Sequence, residues 1–136
     1  MIFIDSNVPM YLVGAEHPHK RDTVVILERL ISEKQRLVTN TEVLQEILHR
    51  YAAIQRKDAI QPAFDALYGF IDEIYPVVEA DLLGAKDLLL VYQDLGARDA
   101  LHAAQMKHKQ IATIFSFDAG FDRLPHIRRI PMVTSA

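Results

Sequence analysis

The chain has 136 residues, half of them hydrophobic and 24% charged, which is the size and composition of a single domain that buries a core. The absence of cysteine excludes disulfide frameworks, thiol catalysis and cysteine-ligated zinc or iron–sulfur sites. Fifteen Lys and Arg against 18 Asp and Glu give a formal net charge of −3, which argues against a protein that coats nucleic acid by bulk positive charge. This charge leaves room for an enzyme that meets nucleic acid at one local site.

Apolar residues in the first half of the chain alternate between short runs typical of strands and stretches with helical spacing. The first run ends abruptly at Asp5, and Asp5-Ser6-Asn7 is rich in residues that cap helix N-termini. In chain order this half predicts a strand over 1–4, a short helix to about Val13, a helix from about His19 to Lys34, a strand over 36–39, and a helix capped by Asn40 or Thr41 that runs to about Arg56.

The second half continues the alternation, with Gly96 in a position that suits the end of a helix. In chain order it predicts a helix from about Pro62 to Ile71, a strand over 74–79, a helix over 82–95, an Ala-rich helix over 97–107, a strand over 111–115, a turn of helix over 118–124 and an edge strand at Met132-Val133. We therefore expect one α/β domain over residues 1–136, with a mainly parallel sheet between helices. Ligands of such sheets bind beyond the carboxyl ends of the strands.

Four carboxylates are expected at that edge of the sheet. Asp5 and Asp118 follow predicted strands, and Glu46 and Asp99 lie near the starts of predicted helices. Each has a simpler explanation, since the three aspartates are good N-cap residues and Glu46 could pair with Arg50 four residues later. Two carboxylates about 4 Å apart, however, repel by roughly 1–4 kcal/mol. Four together therefore favour a bound cation such as Mg²⁺, which takes oxygen ligands.

The segments around these acids resemble the motifs of the PIN-domain nucleases, and most closely those of the small VapC-type toxins of prokaryotic toxin–antitoxin pairs. The four matching segments, which extend the resemblance from Met1 to about Val133, are Ile2-Phe3-Ile4-Asp5-Ser6-Asn7-Val8, Thr41-Glu42-Val43-Leu44-Gln45-Glu46-Ile47, Arg98-Asp99-Ala100-Leu101-His102-Ala103-Ala104 and Ser116-Phe117-Asp118-Ala119-Gly120-Phe121-Asp122. In the second segment the family's acid matches Glu46, although Glu42 lies one turn earlier and competes for that place.

The resemblance implies a three-layer α/β/α PIN-like domain with a short, mainly parallel sheet, and metal-dependent endoribonuclease activity. It implies that one or two Mg²⁺ ions, or Mn²⁺ as a substitute, are held by four catalytic acids, namely Asp5, Glu46, Asp99 and Asp118. Asn7 and Ser116 match neutral polar positions that would orient carboxylates or water. Asp122 matches a more variable acidic position and would have a supporting role.

The resemblance also implies partners. The substrate would be a structured RNA such as tRNA or rRNA, whose cleavage inhibits translation, and the cognate antitoxin would bind over the catalytic groove. A homodimer is expected from the family. No apolar run of the chain reaches the roughly 18–20 residues that span a bilayer, and no secretory signal is recognised, so we expect a cytoplasmic protein without a membrane partner.

Basic side chains must attract RNA to an acidic pocket, and Arg98 is the first candidate because it precedes Asp99. His102 lies at helical spacing from Arg98 and could contact a phosphate or transfer a proton, although a structural histidine is the simpler interpretation. The other candidate cations are Lys20, Arg21, Arg50, Arg56, Lys57, Arg123, Arg128 and Arg129.

Two other classes of function fit part of the pattern. A phospho-receiver signalling domain is also a small α/β domain that binds Mg²⁺, but it needs paired acids after its first strand and a lysine after a late one. Here Asp5 stands alone and the late strand ends in Ser116-Phe117-Asp118. A catalytically silent PIN-like domain that only binds RNA or protein is the second alternative, and the presence of all four acids counts against it.

Overall fold

A computed structural model describes residues 1–131 of the chain. Within these residues, five short strands alternate with six α-helices and two 3₁₀ turns, at Lys57–Ala59 and Ala119–Arg123. The strands and helices are, in order, β1 (Ile2–Ile4), α1 (Asn7–Val13), α2 (Pro18–Ser32), β2 (Leu37–Asn40), α3 (Thr41–Ala53), α4 (Ile60–Phe70), β3 (Glu73–Tyr75), α5 (Glu79–Val91), α6 (Ala97–His108), β4 (Thr113–Phe115) and β5 (Arg128–Ile130).

The strands form one parallel sheet in the order β3-β2-β1-β4-β5. The central strand is β1, in which Ile2 pairs with Leu37 of β2 and Ile4 pairs with Phe115 of β4. Because a central parallel strand is covered on both faces, all three residues of β1 are apolar and buried. The residues that follow β1, β2 and β4 consequently emerge side by side at one edge of the sheet.

The predicted α/β class with a parallel sheet is confirmed. The largest side chains of the core include Phe3, Phe115 and Phe121, each fully buried. Outside the sheet, α1 packs against α2 and α4, and α5 packs along α6. Among residues 1–131, none of the helices combines the length and the apolar character that crossing a bilayer requires.

Two predicted boundaries are wrong at the junction of β3 and α5. The strand expected over 74–79 ends at Tyr75, because Pro76 has no N–H to continue the ladder. Val78 then precedes α5, and its backbone N–H donates to the Asp81 carboxylate over 3.1 Å, so the helix begins at Glu79 rather than at Leu82. Gly96 does not end this helix, which stops at Val91. It takes an extended conformation (φ −77°, ψ 155°) at the N-cap of α6.

The fifth strand, Arg128–Ile130, is not predicted by the sequence pattern, which instead places a strand at Met132-Val133, outside the described residues. Its two arginines are typical of a solvated surface. In the structure Arg128 is exposed whereas Arg129 is buried, with only 6% of its surface accessible. The strand is therefore possible because one arginine has partners inside the fold.

Candidate metal centre

Asp5 and Glu46 meet at the edge of the sheet. Asp5 directly follows β1, and Glu46 lies in the second turn of α3, which begins where β2 ends. Both are buried, and one oxygen from each lies within 4.8 Å of the other and of a ring nitrogen of His102. Burial raises the pKa of Asp5, and the neighbouring charge of Glu46 raises it further. Two buried acids this close to each other form a site where a positive charge is stabilised.

Asp99 and Asp118 complete the cluster from its open side. Asp99 lies in the first turn of α6, and Asp118 precedes the second 3₁₀ turn and is exposed. Burial, a hydrogen bond shared with Asp118, and the charges of Asp118 and Asp5 raise the pKa of Asp99 to about 8. The raised pKa favours the protonated form of Asp99 near neutral pH, whereas a bound cation would favour loss of that proton.

The structure distinguishes Glu46 from Glu42. Glu46 accepts hydrogen bonds from Ser6 Oγ at 2.7 Å and His102 Nε2 at 2.8 Å. Burial alone would raise the pKa of Glu46, but these two donors hold it below its usual value. Glu42 lies outside this set, with its carboxylate 3.9 Å from the guanidinium of Arg98. Glu46 is thus the acid of α3 that faces Asp5.

Asn7 and Ser116 hold the Asp5 carboxylate in place. Ser116 Oγ donates to Asp5 Oδ2 at 2.6 Å, and Asn7 Nδ2 lies 3.5 Å from the same oxygen. The backbone N–H of Ser6 donates to Asp5 Oδ1 at 2.7 Å. Both oxygens are therefore oriented by donors, with lone pairs left for another ligand.

Helix capping explains only one of the three aspartates. Asp118 caps the 3₁₀ turn by accepting from Gly120 N at 2.8 Å. Asp5 does not cap α1, whose N-cap residue is Ser6, and Asp99 lies inside α6 rather than at its cap. The convergence of these acids is therefore not a by-product of helix ends.

Gly120 is a part of the site that sequence reasoning missed. A methyl group at this position would lie 2.8 Å from Asp99 Oδ2 and 3.0 Å from Asp118 Oδ1. Only a residue without a side chain lets the chain approach both carboxylates so closely. Its place two residues after Asp118 was the available signal, because a backbone N–H there can reach the carboxylate.

Replacing Gly120 by Ala is expected to weaken divalent-cation binding by about tenfold, because the methyl group pushes the two carboxylates apart. The metal-free protein should unfold at nearly the same urea concentration as the wild type, since Gly120 does not have a positive φ. Titration calorimetry with Mn²⁺ measures the affinity. Gly69→Ala, where a methyl group meets nothing within 4 Å, is the matched control, and equal affinities in the two variants would contradict this geometry.

The donor set suits a hard divalent cation, because Asp5 and Glu46, whose oxygens are oriented by hydrogen-bond donors, lie beside Asp99 and Asp118. The PIN domain family matches residues 2–127. Ribonuclease VapC13 of Mycobacterium tuberculosis is 58% identical over 130 residues, which cover 96% of this chain and 99% of that protein. This chain belongs to the VapC family of PIN-domain ribonucleases.

More distant VapC proteins also resemble this chain in sequence or in fold. VapC23 of M. tuberculosis is 38% identical over 118 residues, covering 87% of this chain and 93% of that one. VapC20 of M. tuberculosis, a toxin that cleaves the sarcin–ricin loop, shares the fold with a TM-score of 0.75 at 20% identity, over 92% of this chain and 95% of that one. VapBC2 from Rickettsia felis, bound to a promoter DNA fragment, superposes with a TM-score of 0.73 at 18% identity, over 95% and 97% of the two chains.

Asp122 lies apart from the four acids in this VapC chain. Its carboxylate receives both ends of the Arg129 guanidinium, at 2.8 and 3.0 Å, and this pairing lowers the pKa of Asp122. Arg129 also donates to the backbone oxygens of Ser116 and Pro131. The expectation that Arg129 attracts RNA is therefore wrong, because this buried arginine ties the segment that carries Asp118 to β5.

Arg129→Lys is expected to lower the free energy of unfolding by about 1.5–3 kcal/mol, because a lysine cannot reproduce the paired hydrogen bonds to Asp122 and also reach Ser116 O. Urea unfolding of the metal-free protein measures the change. The neighbouring exposed residue offers the control, since Arg128→Lys should leave the midpoint unchanged. If both variants unfold like the wild type, the assigned role of Arg129 is wrong.

Of the two interpretations of His102, the structure favours the structural histidine over a contact with an RNA phosphate. The side chain is fully buried, so it cannot reach an RNA phosphate, and its Nε2 faces Glu46. Its burial follows from α6 being enclosed along its middle, where seven consecutive residues from Ala100 to Met106 are buried. The sequence signal for this was the run of small alanines around His102.

A groove of about 550 Å³ opens beside Glu46. Its walls come from α1, the segment that follows α1, α3 and the start of α6, and they include Met10, Tyr11 and Tyr51. Of the candidate cations, Arg50 and Arg98 line this groove. Arg98 is half-exposed, with 48% of its side chain accessible, so it can contact a ligand. The groove thus joins an acidic end to a partly apolar, partly cationic wall.

Proposed function

We propose that this chain is a Mg²⁺-dependent endoribonuclease, the toxin of a VapBC-type toxin–antitoxin pair. It cleaves a structured RNA such as tRNA or rRNA in the cytoplasm and thereby inhibits translation. The observation that carries the proposal is the convergence of Asp5, Glu46, Asp99 and Asp118 at one edge of the sheet. Membership in the VapC family supports the same function and decides against a phospho-receiver domain.

The four acids are the proposed ligands, and Mg²⁺ is the proposed ion because every donor is a carboxylate oxygen. A bound divalent cation supplies positive charge to the phosphate and acidifies a water molecule. His102 is not a proposed ligand, since its Nε2 is turned to Glu46. Mn²⁺, which also prefers oxygen ligands, should substitute.

Side chains of the protein orient the acids and bind the RNA backbone during cleavage. Asn7 and Ser116 keep Asp5 oriented, so the acid needs no rearrangement when a cation arrives. Arg98 and Arg50 hold the RNA backbone in the groove. Water attacks phosphorus in line with the 3′-oxygen, the phosphorus–oxygen bond breaks, and the proton passes to the departing oxygen. The products are a 5′-phosphate and a 3′-hydroxyl.

The proposed partner is a cognate antitoxin. Structural neighbours include a toxin–antitoxin complex from Klebsiella pneumoniae. The groove beside Glu46 offers Met10, Tyr11 and Tyr51 as apolar contacts and its acids as a place for a basic side chain of the antitoxin. We also propose that residues 1–136 form one domain and that the toxin is a homodimer.

The proposed activity is tested with the purified chain, freed of any partner and given Mg²⁺ with total RNA. Sequencing of 5′-phosphate ends should show a few discrete cleavage sites in structured RNA, absent from reactions with Asp99→Asn. If neither Mg²⁺ nor Mn²⁺ produces such ends, the chain is the catalytically silent alternative that only binds RNA or protein.

A further inference from the structure

A line of hydrogen-bonded polar side chains runs from Glu46 into the interior. After Glu46 it consists of His102, Asn40, Gln105 and Asp81, each of them at most 3% exposed. Burying such groups costs about 1–3 kcal/mol each unless they are hydrogen-bonded. Each of these side chains is therefore expected to be hydrogen-bonded, and the donor and acceptor of each bond together determine the tautomer of His102.

The orientation of Asn40 is fixed by α3. Asn40 is the N-cap residue, and its Oδ1 accepts from the backbone N–H of Val43 at 2.9 Å. Nδ2 is consequently the atom that faces Gln105 Oε1 at 2.9 Å and His102 Nδ1 at 3.0 Å. Both hydrogens of this amide are directed at acceptors.

The orientation of Gln105 is fixed independently from the other end. Its Nε2 donates to the backbone oxygen of Pro76 and to Asp81 Oδ2, both at 3.1 Å. Asp81 is itself held by Val78 N and by the ring of His108. Gln105 Oε1 must therefore point to Asn40, which agrees with the assignment made from the helix cap.

These directions determine which nitrogen of His102 bears the proton. Nδ1 faces a donor, Asn40 Nδ2, so it must accept. In the neutral imidazole the proton therefore lies on Nε2, which donates to Glu46 Oε1 at 2.8 Å, while Ser6 Oγ donates to Glu46 Oε2. The Glu46 carboxylate is thus held by one donor on each oxygen, and one of those donors is set by Asn40.

We propose that His102 and Asn40 are positioning residues of the nuclease, which orient the Glu46 carboxylate toward the cation site through a fixed imidazole tautomer. Gln105 accepts from Asn40 and donates to Asp81, and these two hydrogen bonds hold Asn40 in place within the core. The role of these residues in cleavage rests on the proposed function, whereas the hydrogen-bond directions do not depend on whether the protein cleaves RNA. Partners that orient a metal-binding side chain in this way typically change metal affinity or activity by about 10–100-fold when removed.

Three substitutions separate positioning from packing. His102→Leu removes the donor to Glu46 and should weaken Mn²⁺ binding by about 10–100-fold. His102→Gln places an amide N–H near the position of Nε2 and should restore most of that affinity. Asn40→Ser keeps a good N-cap residue for α3 but removes the donor to His102, so Mn²⁺ binding should weaken while the helix remains.

The decisive readout is the imidazole ¹⁵N spectrum of His102, recorded at slightly alkaline pH in metal-free wild-type protein and again with Mg²⁺. We expect the proton on Nε2 in both spectra, and loss of this single form in Asn40→Ser. A proton on Nδ1 in the wild type would overturn the proposal, as would equal Mn²⁺ affinity in His102→Leu and wild type. Because the spectrum needs no RNA, absence of nuclease activity would count against the proposed function and leave this result intact.

Discussion

Asp5→Asn is expected to reduce the rate of RNA cleavage by about 10²–10³-fold or more, while the metal-free protein stays at least as stable as the wild type. Asp5 is buried beside Glu46, and this surrounding raises its pKa, so the ionised carboxylate opposes folding. A neutral amide of the same shape removes that opposition and also removes a ligand for the cation. Cleavage assays with Mg²⁺ and urea unfolding in EDTA measure the two effects.

A surface acid provides the control for this substitution. Asp87→Asn makes the same chemical change on α5, where 74% of the side chain is exposed, and should alter neither property. Loss of both folding and activity in Asp5→Asn would mean that Asp5 has a structural role. Retained cleavage would mean that this acid is not a ligand.

Divalent-cation binding is expected to strengthen as the pH rises toward 8, by up to about tenfold per pH unit, and to release a proton. The cause is Asp99, whose pKa of about 8 requires deprotonation before it can bind a cation. Titration calorimetry in buffers of different ionisation enthalpy counts the released protons. In Asp99→Asn the pH dependence should be lost together with most of the affinity.

The same carboxyl group makes the stability of the metal-free protein depend on pH. Its pKa is raised from an ordinary value of 3.8 to about 8, so between these values the folded state holds a proton that the unfolded chain has released. Stability should therefore fall as the pH rises through this window, and saturating Mg²⁺ should reverse the loss. An unfolding free energy that rises across the window in EDTA would contradict this assignment.

The positions of Asp5, Asp99 and Asp118 could be predicted because chain-local signals mark them. Asp5 ends an apolar run, Asp99 opens an Ala-rich helix, and Asp118 follows a β-branched strand, and parallel strands bring such ends together. The competition between Glu42 and Glu46 needed the structure, because one turn of helix separates them and only the packing of α3 decides which one faces β1.

The contacts that could not be predicted from the sequence join residues that are far apart along the chain. Asn40 meets His102 and Gln105 across 62 and 65 residues, and nothing local to any of the three residues indicates the contact. The alanines around His102 indicate burial, but its contact with Glu46, 56 residues earlier in the chain, exists only in the folded structure. Arg129 looked like a surface cation because its buried role exists only through Asp122.

Exposure of crystals to Mn²⁺, followed by an anomalous difference map, tests most directly whether the four clustered acids form a cation site. We expect a peak enclosed by carboxylate oxygens of Asp5, Glu46, Asp99 and Asp118, with the His102 ring turned to Glu46 and not bound to the ion. An empty cluster at a Mn²⁺ concentration that supports cleavage, or a peak coordinated by His102, would contradict this expectation.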